Sequence, residues 1–202
     1  MLFNSFEFLV FLPIVFLLYW FAFKKLRAQN LFVVVASYLF YGWWDWRFLI
    51  LIAFTTLCSY ASGILLERQE GHRHIQRLIS IANIVLNLTI LGIFKYFNFF
   101  SKNLQHLFQW FGFELDWVTL DILLPVGISF YTFQALSYTI DIYRHKMKPT
   151  HDIVAFFAFI SFFPQLVAGP IERATNLLPQ FERQRTFDYT AAVDGMRQIL
   201  WG

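Results

Sequence analysis

The chain is poor in the residues that build most soluble active sites and extracellular scaffolds. It has one cysteine, Cys58, in 202 residues, which excludes an intramolecular disulfide framework and leaves no pair of thiolates for a zinc site. Charged residues make up only 14% of the chain, too few to clothe a soluble domain of this size. The HExxH, GxxxxGKS/T and GxSxG patterns are absent, so zinc-protease, P-loop and α/β-hydrolase chemistries lack their usual spacing. There is no internal repeat and no low-complexity linker, and nothing marks off a separate soluble domain. The net charge of +3 does not point to nucleic acid, because the basic residues fall in short clusters between apolar runs and not along one face.

What is abundant is hydrocarbon. Hydrophobic residues reach 58%, aromatic residues 21% with 27 Phe, and the mean hydropathy is +0.52. These values predict an all-α, polytopic transmembrane protein with about five spanning helices. Phe6 to Phe23 carries only Glu7 as a charge and is followed by Lys24, Lys25 and Arg27. A secretory signal has the reverse charge order, so this segment is read as a retained anchor with its N-terminus outside. Leu31 to Gly42 is apolar but short, and the Trp43 to Arg47 stretch resembles an aromatic interface belt. Phe48 to Leu66 and Leu78 to Phe94 are further crossings. Alternate connections carry Lys24, Lys25 and Arg27, then Arg68, Arg73 and Arg77, then Arg144, Lys146 and Lys148. The connections between them hold Arg47, Lys95 and Lys102. The bias places the first set in the cytoplasm. Ser101 to Asp121 is expected to lie on the outer interface as an amphipathic segment.

Two stretches are too unusual for simple anchors. Leu124 to Arg144 has spanning length but includes Asp141 and many polar residues. On a helix, Gly127, Tyr131, Gln134, Tyr138 and Asp141 form one stripe, opposite Ile128, Ala135 and Ile142. A carboxylate near hydrocarbon costs at least about 2.5 kcal/mol and normally faces a bundle interior or cavity. Ile153 to Gly169 is apolar but has basic residues on both sides, and Pro164 and Gly169-Pro170 interrupt it. A re-entrant or oblique pair of short helices is therefore preferred to a full crossing. Tyr189 to Trp201 reads as an amphipathic helix, and the pattern stops within it. The expectation is a fragment of a longer membrane protein.

The five histidines, His72, His74, His106, His145 and His151, all lie in charged or interfacial stretches. His72 and His74 beside Arg73 read as solvated charge, and no metal site is expected. The many Phe and Trp residues read as lipid-facing or interfacial rather than as a ligand cage.

MLFNSFEFLVFLP, ASYLFYGWWDWRF, FKYFNFF, LLPVGISFYTFQALSYTIDIYR and FFPQLVAGPIERATNLLPQF occur in that order. Together they resemble the membrane-bound O-acyltransferases, most closely the bacterial branch that acetylates alginate and other exported polysaccharides. The resemblance covers essentially the whole chain. It implies that residues 1–202 are the N-terminal part of a single membrane-embedded acyltransferase domain whose C-terminal half is absent. It also implies a bacterial inner-membrane location and transfer of an acyl group, acetyl in this branch, to a polysaccharide hydroxyl outside. The implied donor is acetyl-CoA or another cytoplasmic thioester, with no resident cofactor. Membrane lipid surrounds such a protein, and an extracytoplasmic acetyltransferase partner completes the transfer. The family's catalytic histidine lies beyond residue 202 and matches none of the five here, so this fragment alone should be inactive.

Several residue roles stay open. Tyr131, Gln134, Tyr138 and Asp141 are candidates to line a substrate tunnel. Gln134 and Asp141 could equally fix helix packing, and Asp141 could pair with Arg144 three residues on. Gln165, Gly169 and Pro170 are candidates for a cavity wall or simply for a bend that shapes the fold. Arg173 is a candidate for the donor phosphates, although it could pair with Glu172 instead. Half of a transporter or channel, or a noncatalytic scaffold of a secretion complex, are the alternatives to an enzyme.

Overall fold

A computed structural model of the chain describes residues 5–43, 45–110, 125 and 127–201. Among these residues the structure is all helical, with no strand. Helix α1 (Phe6–Leu17) is capped by Ser5, whose hydroxyl accepts the Phe8 N–H at 3.3 Å. It widens into a π-helical turn, Leu18–Ala22, in which the Phe23 N–H donates to the Leu18 carbonyl. Gln29 Nε2 donates to the Tyr19 carbonyl at 3.3 Å.

Helix α2 (Leu26–Gly42) begins well before the apolar run that suggested it. Its first turn buries Gln29 and Asn30, because each side chain has a carbonyl partner on another segment: Tyr19 for Gln29 and Phe181 for Asn30. Helix α3 (Arg47–Arg68) matches the expected crossing with slightly wider bounds.

Helix α4 (Arg73–Trp110) differs from expectation. It runs for 38 residues through Lys95 and Lys102, so these residues lie on a helix rather than in a loop after Phe94. No glycine or proline occurs from Ile93 to Trp110, and charge alone does not stop a helix. At 1.5 Å per residue it is nearly twice as long as a hydrocarbon core of about 30 Å is thick. The proposed interfacial segment, Ser101 to Asp121, is therefore continuous with α4 through Trp110. Its remainder lies outside the described residues.

Helix α5 (Ile128–Tyr143) is followed by α6 (Ile153–Ser161), α7 (Phe163–Ala168), α8 (Ala174–Glu182) and α9 (Tyr189–Trp201). Asp152 caps α6 by accepting the Val154 and Ala155 N–H groups at 2.9 and 3.2 Å. Helix α5 packs against α3, α4 and α8, while α6 packs against α2 and α8. Ala155, Phe156, Ala158, Phe159, Ile160 and Ser161 are all buried, so α6 is interior on nearly every side. The expected break is present. Helix α6 has nine residues, and neither it nor α7 alone can bridge a bilayer core.

The long helices are apolar outside and polar inside. On α3, Thr55, Thr56, Ser59 and Gly63 face inward, whereas Ile50, Phe54, Leu57 and Leu65 are exposed. On α4, Gln76, Ser80, Asn83 and Asn87 are buried, whereas Leu78, Ile81, Val85 and Leu88 are exposed. Water would favour the reverse arrangement, and lipid favours this one. Arg47–Arg68 and the Arg73–Ser101 part of α4 are long and apolar enough to cross a membrane, and Phe6–Ala22 and Ile153–Leu166 are shorter apolar stretches.

Candidate functional site

Helix α5 begins at Gly127, which has φ 78° and ψ 2°. A side chain at this position would be strained by the left-handed conformation, and its Cβ would stand 3.1 Å from the Leu166 carbonyl of α7. The glycine thus lets the start of α5 approach the second half of the broken helix. From there Tyr131, Gln134, Tyr138 and Asp141 follow along one face, and all four are buried. The opposite face, Ile128, Ala135 and Ile142, is buried too, so neighbouring helices cover it rather than lipid. Phe133 is the exposed large side chain of the helix.

The stripe is underbonded. The Tyr131 and Tyr138 hydroxyls, both amide atoms of Gln134 and Asp141 Oδ2 are buried without a hydrogen-bond partner. Native proteins leave few such atoms, since each costs about 1–3 kcal/mol. Their concentration on one face distinguishes α5 from the other polar helices. Tyr138 is held by Phe156 of α6, with ring centroids 4.5 Å apart, and by the close approach of Gly63 on α3.

Asp141 does not pair with Arg144. Arg144 ends the helix with φ −84° and ψ 4°, so it leaves the surface that residues three apart share. Its side chain is exposed, whereas Asp141 is only 6% exposed. The main chain closes this end: the Lys146 N–H donates to the Asp141 carbonyl at 2.8 Å around His145, whose φ is 56°.

At the α6–α7 break, Gln165 is buried and folds its Nε2 onto the Pro170 carbonyl at 3.0 Å, leaving Oε1 without a partner. The Gly169 N–H donates to the Gln165 carbonyl at 3.0 Å. Gln165, Gly169 and Pro170 therefore form one turn, with Pro170 exposed. Arg173 precedes α8 and is exposed. It does not pair with Glu172, whose carboxylate accepts Asn176 Nδ2 at 3.3 Å instead. Among the described residues the ion pair is His151–Glu67 at 3.0 Å, and no group of three or more His, Cys, Asp or Glu side chains stands together.

Two polar clusters escaped the sequence reading. The first joins α3, α4 and α5: Asn83 Nδ2 donates to Thr139 Oγ1 at 2.6 Å, Ser59 Oγ donates to Asn83 Oδ1 at 3.4 Å, and Asn87 Nδ2 donates to Asn83 Oδ1 at 3.1 Å. Its signal was available, because Gln76, Ser80, Asn83 and Asn87 recur at spacings of four, three and four. The second centres on Arg185, which donates from Nη2 to Asn30 Oδ1. The same Asn30 donates to the Phe181 carbonyl at 2.8 Å. The guanidinium lies over the Tyr19 and Phe181 rings at 5.3 and 5.4 Å. Partial burial pulls its pKa down from the ordinary arginine value. Nothing in the local sequence announced this cluster, whose partners are 155 residues apart. Arg185 is among the residues that line a cavity of about 260 Å³ between α1 and the α7–α8 region.

The chain is 38% identical to the probable alginate O-acetylase of Pseudomonas aeruginosa, over 100% of this chain and 38% of that protein. It is 40% identical to the probable alginate O-acetylase of Pseudomonas putida, over 100% of this chain and 41% of that protein. It is 31% identical to the peptidoglycan O-acetyltransferase of Helicobacter pylori, over 90% of this chain and 39% of that protein. The chain spans about two fifths of the length of these curated relatives. No family model and no solved structure matches it.

Proposed function

The chain is a homologue of the alginate O-acetylases over its whole length, and from that premise we propose that it forms part of a membrane-embedded O-acetyltransferase. The carrying observation is identity of 35–40% along the full chain with five proteins of that name. A relative named peptidoglycan O-acetyltransferase adds a second glycan to the acceptors considered. These relatives agree with the resemblance to membrane-bound O-acyltransferases carried by the motifs.

The whole protein takes an acetyl group from a cytoplasmic thioester, acetyl-CoA in the simplest case, and delivers it to a hydroxyl of an exported polysaccharide. Summed over the whole transfer, the partner's step included, the acyl carbon gains a C–O bond and loses its C–S bond, while the hydroxyl proton passes by way of a general base to the departing thiolate. The family histidine that the resemblance implies serves as that base or helps pass the acyl group on. Within this chain, the buried, underbonded stripe Tyr131, Gln134, Tyr138 and Asp141 lines the route. The turn of Gln165, Gly169 and Pro170 forms part of its wall, and Arg173 meets the donor phosphates at the cytoplasmic side. In this reading α1 to α5 cross the bacterial inner membrane, the N-terminus is outside, and α6–α7 enters without crossing. An extracytoplasmic acetyltransferase partner finishes the delivery.

The test is acetylation of secreted and surface glycans, measured by acetyl signals in NMR spectra, in cells with and without the full-length gene. Loss on deletion and return on complementation are expected. Full-length protein that inserts and folds but restores no glycan acetylation would overturn the proposal.

A further inference from the structure

The cavity beside Arg185 differs in chemistry from the α5 stripe and shares no residue with it. Its walls are apolar: Leu12, Phe16 and Tyr19 along α1 and its π turn face Phe162 and Phe181. From Leu12 to Tyr19 the wall extends about 10 Å at helical rise. Leu12 and Phe16 are 42% and 45% exposed, and the Phe16 ring meets Phe187 edge-on at 6.4 Å. At about 260 Å³, the space is smaller than the roughly 300–1,000 Å³ of pockets that enclose a compact organic ligand.

Arg185 is the charged side chain among the residues that line the groove. Among the described residues no carboxylate pairs with it. Its contacts are a neutral amide, two aromatic rings and the hydroxyl of Tyr19. Its Nε–H is buried without a partner. A partly buried guanidinium with a free donor matches a phosphate oxygen in charge and geometry. The neighbouring Gln184 ties this region to the connection between the π turn and α2: its Nε2 donates to the Lys24 carbonyl at 3.5 Å, and Lys24, Lys25 and Arg27 there are exposed. Basic residues at a helix end attract anionic headgroups.

We infer that this groove binds an anionic phospholipid, with one acyl chain along α1 and the headgroup phosphate on Arg185. The inference rests on the membrane placement proposed above but not on acetyl transfer. Free coenzyme phosphates share the headgroup chemistry, but they carry no long hydrocarbon chain to lie along the apolar wall.

Native mass spectrometry of the full-length protein in detergent, titrated with phosphatidylglycerol or phosphatidylcholine, tests this. One phosphatidylglycerol should be retained in preference to phosphatidylcholine. Arg185→Gln should weaken retention by about tenfold, the order expected for losing a charged hydrogen bond, while Arg68→Gln, on an exposed cation elsewhere, should not. If Arg185→Gln does not fold, Phe16→Trp, which fills the groove and keeps the arginine, should still reduce retention. Equal retention of the two lipids by the unaltered protein would overturn the inference, as would displacement of phosphatidylglycerol by acetyl-CoA. Selective lipid retention by a protein that acetylates nothing would leave the inference standing and remove the proposed function.

Discussion

Replacing Gly63 with alanine tests how tightly the site is assembled. A Cβ there would fall 2.6 Å from the Tyr138 hydroxyl oxygen, 2.7 Å from Cε1 and 2.9 Å from Cζ. Tyr138 is fully buried and its ring rests on Phe156, which is fully buried as well, so the ring cannot simply withdraw. Overpacking costs about 1–3 kcal/mol, and alanine returns up to about 1 kcal/mol as the better helix former. Gly63→Ala should therefore lower stability by about 1 kcal/mol. The assay is equilibrium unfolding of the full-length protein in mixed micelles by SDS titration, run as a cycle with Tyr138→Leu. The leucine removes the clashing ring, so the alanine should cost little in that background, with a coupling of about 1–2 kcal/mol. Additive effects, or a more stable Gly63→Ala protein, would refute the α3–α5 approach.

Asn83→Leu removes the donor to Thr139 and the acceptor used by Ser59 and Asn87; the same unfolding assay should show a loss of about 1–2 kcal/mol, since polar bonds between membrane helices contribute roughly 0.6–2 kcal/mol each. Gly127→Ala should lower the melting temperature, because the left-handed conformation costs about 1–2 kcal/mol for an ordinary side chain, and Gly127→Asn should be milder. Gln134→Leu separates function from packing: with neither amide atom bonded, stability should hold or rise by about 1 kcal/mol, while glycan acetylation falls. A clear loss of stability would make Gln134 structural. Arg173→Gln should raise the KM for acetyl-CoA about fivefold with kcat unchanged, as expected for loss of a solvent-exposed phosphate contact, and an unchanged KM would remove Arg173 from the donor site.

The sequence was most legible where periodicity met a physical cost. Asp141 and Gln134 in an apolar run required an enclosed face, and α5 buries them. Pro164 and the flanking basic residues announced the broken segment, and the structure divides it at Phe162. Charge misled where it stood alone: Lys95 and Lys102 suggested a loop, but without glycine or proline the α4 hydrogen bonds simply continue. The i to i+3 rule suggested an Asp141–Arg144 pair but could not show that Arg144 ends the helix. The Arg185 cluster was beyond reach because its contacts join the start of α2 to the chain after α8. Such pairings are properties of the packed fold, not of local spacing.

The break between α6 and α7 also bears on how the protein enters the bilayer. The amide that opens α7, Phe163 N–H, donates to Ser37 Oγ on α2 at 3.3 Å, across 126 residues of chain. In hydrocarbon that amide cannot be left bare. A translocon releasing this segment by itself would hand lipid an unpaired backbone dipole, whereas release against an α2 already in place would not. Under the proposed membrane placement, biogenesis has an order: α2 must be membrane-resident before α6–α7 takes its final position.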